Sequence, residues 1–407
     1  MYRLLLLVII VALAFVPLNA QEVEEVIKIK TRVVFLDALV KDKKTNLPVS
    51  SLTPENFEVL DDGKPRSISY FTKEGQARKP LALILILDLR EDGAGRFLKR
   101  PEILKSMEDE LAKLPPGDEV AILVLDLFED NDRLWLTEFT SDRAKLAAAL
   151  ARVPALCGPN DGTPIERTVT QNTANQSEGK PEDIIHTETI RGRNGSTVTR
   201  ETRRDGSVNV KRVSKDGKVT VDMHDLYDLS AAVQDATRKA EELRPNSQVS
   251  LVWVSDGITP IFFEDRDATE QVLIRKNVIF NSLTVEMRTL FKFLMPIGKP
   301  IAGWIGMSLY GSAKHLAQRS GGEAVKVGRV KDYGAGLSKI IGNLTARYSL
   351  GFALSEDEID DGRMHKLEVR VKAKDEKGKN RKLQVSSRQG YYMSSTVPKE
   401  AAANKAQ

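Results

Sequence analysis

Through the middle of the chain, unbroken apolar runs alternate with stretches in which apolar residues recur every three or four positions. A strand buried on both faces reads as a continuous run, whereas a helix with one buried face shows the 3.6-residue period. LALILILDL, from Leu81 to Leu89, is the first such strand, and residues 98–113 follow as an amphipathic helix that stops before Pro115, Pro116 and Gly117. EVAILVLDLF is the next strand, RLWLTEF a short antiparallel partner, and SDRAKLAAALARV a helix with Ser141 as its cap. A helix over 225–243, the strand SQVSLVWVSDG, the strand NVIFNSLTVE and helices over 309–319 and 333–346 complete the pattern. Strand–helix alternation of this kind predicts an α/β fold, a doubly wound and mainly parallel sheet covered on both faces, over residues 77–346.

The pattern changes at both ends. IKIKTRVVFLDALV, FEVL and SISYF near the start, and ARYSLGFAL, HKLEVRVKA and RKLQVSSRQGYY near the finish, are strand-like and separated by turn formers such as TNLP, DDGK, DDGR and DEKGKN. Neither end holds many strands, and units of two or three strands are marginal in water. Segments 21–76 and 347–392 are therefore expected to pack together as one β-sandwich of immunoglobulin-like type, with the α/β part inserted and 393–407 a disordered tail.

A polar insertion, 160–224, interrupts the α/β part. Asn194-Gly195, Asp205-Gly206 and Asp216-Gly217 recur eleven residues apart, and each dipeptide favours the positive φ angles of a tight hairpin turn. The pieces between them alternate and are rich in Val and Thr, which predicts a four-strand β-meander over 186–224. The scarcity of large apolar residues leaves a disordered polar loop as the competing reading.

Composition narrows the function. The 407 residues are enough for more than one core, and the formal net charge of +4 is spread over mixed Lys, Arg, Asp and Glu, so nucleic acid is not an expected partner. Residues 1–20 read as an export signal: Arg3, an apolar run from Leu4 to Phe15, then PLNA before Gln21. Once it is removed no stable membrane span is expected; a retained anchor is the alternative. Cys157 is the single cysteine, which excludes an intramolecular disulfide. His186, His224, His315 and His365 show no HExxH-type spacing, and no phosphate-binding lysine loop, GxSxG elbow or Cys-His pairing occurs. The run 291–307 is apolar but broken by Pro296, Lys299 and Pro300, so it reads as packing beside the sheet.

Asp88 and Asp256 each end a buried strand, where open α/β sheets bind their ligands. Two carboxylates at such an edge call for a hard, oxygen-ligated cation or a compensating base. A cap on a helix or loop is the plainer reading.

The blocks RKPLALILILDLRED, RVPALCGPNDGTPI, DLYDLSAAVQDATRKA, SLVWVSDG and ARYSLGFAL…GYY, preceded by LVKDKKTNLPVSSLTPENFEVLDDGKPRSI, resemble the von Willebrand factor A-related proteins secreted by bacteria, the acidobacterial type. The resemblance spans about residues 30–392 apart from the insertion. It implies a site for a divalent cation, usually Mg²⁺, held by a DxSxS loop, a threonine and a further aspartate. Asp88 matches the first position, Thr163 in NDGTPI the threonine and Asp256 the last, while Arg90 and Asp92 stand where the family has its two serines. Arginine offers a metal no acceptor and can pair with Asp88 as its counterion; in the alternative, Asp92 coordinates, the metal set is Asp88, Asp92, Thr163 and Asp256, and a cation is retained weakly. The resemblance implies an exported, periplasmic or extracellular, non-catalytic module that binds a protein or cell-envelope component. Two other readings stay open: a periplasmic metal-dependent hydrolase using Asp88, Asp92 and Asp256, and a structural envelope component.

Overall fold

The computed structural model describes residues 32–393, apart from 74–78, 90–94, 126–132, 157–166, 172–183, 192–196, 204–207, 214–216, 218, 222–227, 258–260, 286–306, 309–310, 356 and 376. The segment 1–20 read as an export signal, Cys157, the apolar run up to residue 306 and the expected tail beyond Met393 lie outside the described residues.

In chain order the first elements are strands β1 (Arg32–Asp42), β2 (Phe57–Asp61), β3 (Lys64–Arg66), β4 (Tyr70–Thr72) and β5 (Leu81–Asp88), then helices α1 (Gly95–Leu98) and α2 (Pro101–Leu111). Next come β6 (Glu119–Leu125), β7 (Arg133–Thr140), α3 (Arg143–Ala151) and α4 (Val153–Leu156). The insertion supplies β8 (Arg167–Gln171), β9 (Ile184–Arg191), β10 (Thr197–Arg203), β11 (Val208–Val213) and β12 (Val219–Val221). After it run α5 (Asp228–Leu243), β13 (Gln248–Ser255), β14 (Ile261–Phe262), α6 (Phe263–Arg275), β15 (Ile279–Val285), β16 (Met307–Ser308), α7 (Ser312–Ser320), β17 (Ala324–Val327) and α8 (Tyr333–Thr345). The last strands are β18 (Tyr348–Leu354), β19 (Met364–Val371), β20 (Leu383–Ser386) and β21 (Gly390–Tyr392).

Six strands form the central sheet in the order β17-β15-β13-β5-β6-β7. All neighbours are parallel except β6 and β7, the antiparallel edge pair expected from RLWLTEF. Alternation of side chains sorts β5 between two cores. Leu81, Leu83, Leu85 and Leu87 pack with Ile103 and Met107 of α2, Leu146 of α3 and Leu337 and Ile340 of α8. Ala82, Ile84 and Ile86 pack with Leu229, Val233 and Ala236 of α5 and Leu316 of α7. Every residue of β5 is buried, which is why its sequence shows no polar alternation.

Helix α3 corrects one expectation. Its cap is Asp142, whose Oδ1 accepts from the backbone N–H of Ala144 at 2.9 Å and of Lys145 at 3.3 Å. Ser141 stands one residue too early, and a carboxylate at the helix start also meets the positive end of the helix dipole.

The strands of the two chain ends join. One sheet runs β20-β1-β18-β4 and the other β21-β19-β2-β3, so each sheet holds strands from both ends. Leu36, Val40, Phe57, Val59, Tyr348, Phe352, Leu367 and Tyr391 share one apolar cluster, which takes in Met393 as well. The C-terminal β segment therefore includes Met393, a residue assigned from sequence to the tail.

In the insertion the hairpins form an antiparallel sheet in the order β12-β11-β10-β9-β8, five strands instead of four, starting at Arg167. Asn194-Gly195, Asp205-Gly206 and Asp216 lie outside the described residues; Gly217 has φ +80°, the left-handed conformation a tight Asp-Gly turn favours. RTVTQ of β8 stands apart from the eleven-residue rhythm and is held by pairing with β9, Arg167 opposite Ile190 and Gln171 opposite His186.

Candidate functional site

Numbered within the central sheet alone, the strand order is 3-2-1-4-5-6. The first and fourth members, β5 and β13, lie side by side with Leu87 opposite Val254. Connections leave these two strands toward opposite halves of the sheet, so a crevice opens between their carboxyl ends. The next residues along are Asp88 on one strand and Ser255 and Asp256 on the other.

All three are buried: Asp88 and Ser255 are 0% exposed and Asp256 is 3% exposed. Ser255 Oγ lies 3.0 Å from Asp88 Oδ2 and 3.4 Å from Asp256 Oδ1, so its single hydroxyl proton serves two carboxylates. The backbone N–H of Gly257 donates to the same Oγ at 3.3 Å, and Gly257 adopts φ +92°, a turn that places a glycine directly after the aspartate. From behind, Tyr333 at the start of α8 donates its hydroxyl to the carbonyl oxygen of Ser255 at 3.0 Å. The serine is thus pinned from both sides and fixes the spacing of the acids.

Two buried carboxylates at one strand edge repel unless cations or donors face them, and Asp88 and Asp256 each have partners beyond Ser255. The described side-chain atoms that could face a metal here are oxygens, a set suited to a hard divalent cation and poorly suited to a soft metal. Asp88 and Asp256 are accordingly brought together as the sequence suggested; Arg90, Asp92 and Thr163 lie outside the described residues. Reading the sequence alone missed Ser255 and Tyr333. The serine did carry a signal, its place between the last apolar residue of the strand and Asp256, but its partner Asp88 is distant in the chain and nothing local points to it.

The histidines lack local motif spacing, yet the fold brings two of them against acids. His365 places Nδ1 3.0 Å from Asp62 Oδ2 and Nε2 3.2 Å from Asp361 Oδ1, while His315 Nε2 is 2.7 Å from Glu270 Oε2. Asp61, Asp62 and His365 come within metal-ligand reach of one another, as do Asp267, Glu270 and His315. Arginines already answer these acids: Arg66 on Asp61, Arg363 on Asp62 and Asp361, and Arg319 on Glu270. Both clusters are therefore ion-pair networks of the fold.

No protein-family model matches the sequence, and no curated protein does. Among solved structures, the chain is similar to a von Willebrand factor type A protein from Catenulispora acidiphila, with 8% identity over 81% of this chain and 72% of that one and a TM-score of 0.37. It is similar to the SpRpn10 VWA domain, with 9% identity over 65% of this chain and 94% of that one and a TM-score of 0.32. It is also similar to the pilus adhesin SpaC from Lactobacillus rhamnosus GG, with 8% identity over 83% of this chain, 47% of that one and a TM-score of 0.33.

Proposed function

We propose that the chain is an exported, non-catalytic binding module of the von Willebrand factor A type, and that it recognises a protein or cell-envelope component at the carboxyl edge of its central sheet. The observation that carries this reading is the Asp88–Ser255–Asp256 arrangement at the switch point between β5 and β13. Its one hydroxyl, on Ser255, is fully buried and held between carboxylates, so it is not presented to a substrate as a nucleophile. In this reading the two terminal β segments form an immunoglobulin-like sandwich that carries the module, and the hairpins of the insertion, entering between α4 and α5, widen the recognition surface.

The positive charge that the two carboxylates require is assigned to Arg90. Where a family member with both serines would hold Mg²⁺, this chain carries a guanidinium two residues after Asp88, a fixed cation with no acceptor for a metal. A divalent ion, if held, would rest on Asp88 and Asp256 with Asp92 and Thr163, and would supply an open coordination position for an acidic side chain of the partner.

Titration calorimetry with Mg²⁺ separates these cases. The wild-type chain is expected to show no binding and no Mg²⁺-dependent rise in Tm, since an ion stabilises only by binding the native state. Arg90→Ser combined with Asp92→Ser restores the two hydroxyls and is expected to create both signals. Binding by the wild type would reject the arginine assignment; silence from the double variant would remove Thr163 or the whole edge from the metal set. Release of water-derived products from ester or phosphate substrates, dependent on Asp88, would favour the hydrolase instead.

A further inference from the structure

The ion-pair network around His365 leaves one oxygen unanswered. Asp61, the last residue of β2, is 4% exposed; its Oδ2 accepts from Arg66 and from the hydroxyl of Tyr391 at 3.1 Å, whereas its Oδ1 has no hydrogen-bond partner. That oxygen lies 4.0 Å from Nδ1 of His365 on β19, a ring as deeply buried. The next residue, Asp62, has its Oδ1 held by the backbone N–H of Lys366 at 2.9 Å and sets its Oδ2 3.0 Å from the same nitrogen. Each acid is thus fixed through one oxygen while the other is left toward the imidazole, and one ligand atom of each of the three residues lies within 4.8 Å of the others.

Protons do not complete this arrangement. The second ring nitrogen, Nε2, faces Asp361 Oδ1 at 3.2 Å, and a neutral imidazole has a single N–H for its two sides. With the proton on Nε2, Nδ1 presents a lone pair to the oxygens of Asp61 and Asp62. With a proton on Nδ1, Asp62 is served, but Asp61 Oδ1 at 4.0 Å is too far to accept it. A buried carboxylate oxygen without a donor is costly, and a cation seated among the three atoms answers all of them. Charge points the same way: Asp61, Asp62, Glu358 and Asp361 share the guanidiniums of Arg66 and Arg363, so beside a neutral ring these groups lack two positive charges.

Imidazole nitrogen together with carboxylate oxygen suits zinc better than magnesium or calcium, which favour oxygen alone. A tetrahedron with arms of about 2.0–2.1 Å has edges of about 3.3–3.4 Å, and the 3.0 and 4.0 Å separations bracket that length. Asp361 behind Nε2 is the carboxylate that orients a metal-ligating histidine and keeps its proton on the far nitrogen. Tyr391 stacks on the imidazole at 5.0 Å between centroids and holds the ring in place. Arg363 also donates to Asp62 Oδ2, but its side chain is more than half exposed and can turn to Asp361 alone.

We propose that Asp61 Oδ1, Asp62 Oδ2 and His365 Nδ1 bind a zinc ion, with Asp361 as the positioning residue behind the histidine. The two aspartates belong to the N-terminal β segment and the histidine to the C-terminal one, so the ion clamps the chain ends together. The site is separate from the carboxyl edge of the central sheet and does not depend on the function assigned there.

Titration calorimetry and thermal melting of the untagged full chain with Zn²⁺, and with Mg²⁺ as the control, test it. One equivalent of Zn²⁺ is expected to bind saturably, more tightly than Mg²⁺, and to raise Tm. Asp361→Asn is expected to weaken Zn²⁺ roughly ten- to hundredfold, the range for a residue that orients a ligand, and His365→Gln by more than about a hundredfold. Asp88→Asn at the sheet edge and His315→Gln in the other histidine cluster are expected to leave the affinity unchanged. Should His365→Gln fail to fold, Asp62→Asn alters a ligand whose side chain is a third exposed and is expected to weaken Zn²⁺ at least about tenfold while melting cooperatively. Absence of saturable Zn²⁺ binding by the wild type overturns the proposal. So does Mg²⁺ binding equally well, affinity unchanged in the folded His365 or Asp62 variant, or affinity lost in Asp88→Asn or His315→Gln.

Discussion

Tyr348 shows how a single hydroxyl can hold a loop. It is 1% exposed, donates to the carbonyl oxygen of Val49 at 2.6 Å and accepts from the backbone N–H of Leu52 at 3.0 Å. Its ring packs against Phe57 and Phe71. Tyr348→Phe keeps the ring and strands two backbone groups, so a loss of about 1–3 kcal/mol is expected, read as a lower urea midpoint with an unchanged slope. The aromatic character of this position was legible in the strand ARYSLGFAL; the hydroxyl's partners were not, because they belong to a loop nearly 300 positions away. The same holds at the candidate site. Asp88 and Asp256 could be read because each ends an apolar run, whereas Ser255 acquires its meaning only when Asp88 arrives from another strand.

Among the elements, those buried on two faces were readable and those defined by contact were not. β5, β6 and β13 declare themselves as apolar runs. Helix α6, FEDRDATEQVLIR, was missed since charge surrounds most of it and only Thr269, Leu273 and Ile274 are buried; its place comes from packing beside α7 and from Arg275 on Tyr392 of β21. Helix α8 meets α2 so closely that a methyl group on Gly334 would lie 2.8 Å from the backbone oxygen of Ser106 and 2.7 Å from its Oγ. Because a backbone oxygen cannot swing aside, and because the first turn of a helix gains little from better propensity, Gly334→Ala is expected to destabilise by about 1–3 kcal/mol. Thermal melting of the variant checks this: a Tm equal to or above that of the wild type would show that the two helices can move apart at no cost.

On the scale of the whole molecule, the two chain ends are tied by charge as well as by sheets. Arg66 of β3 donates through Nε and Nη2 to Asp61 Oδ2 at 3.0 and 2.7 Å, and it reaches Glu358, beyond β18, through Nη1 at 3.2 Å and through Nη2. The Arg66 hydrogen bond, aided by the backbone N–H of Ser355, brings Glu358 from its ordinary 4.5 down to about 2. A depressed carboxylate stabilises the fold fully above its unfolded value and loses that contribution as protons are added, so stability should fall between about pH 4.5 and about pH 2. Glu358→Gln is expected to be less stable than the wild type at neutral pH and flatter across that window; urea midpoints measured from pH 6 to pH 2 would show it. That the ends would meet was inferred from how few strands each possesses, but which strand neighbours which depends on register, and no short-range pattern encodes it. The pairing of β1 with β20, Asp42 opposite Leu383, has a further consequence for the nascent chain. Synthesis at about 5–20 residues per second leaves Leu36, Ala38 and Val40 waiting roughly 15–70 s for a neighbour that has not yet been made. During that interval β1 is an open apolar edge, the kind of segment a holding chaperone recognises, and its neighbours β18 and β20 can pair with it only after the whole α/β part has been made.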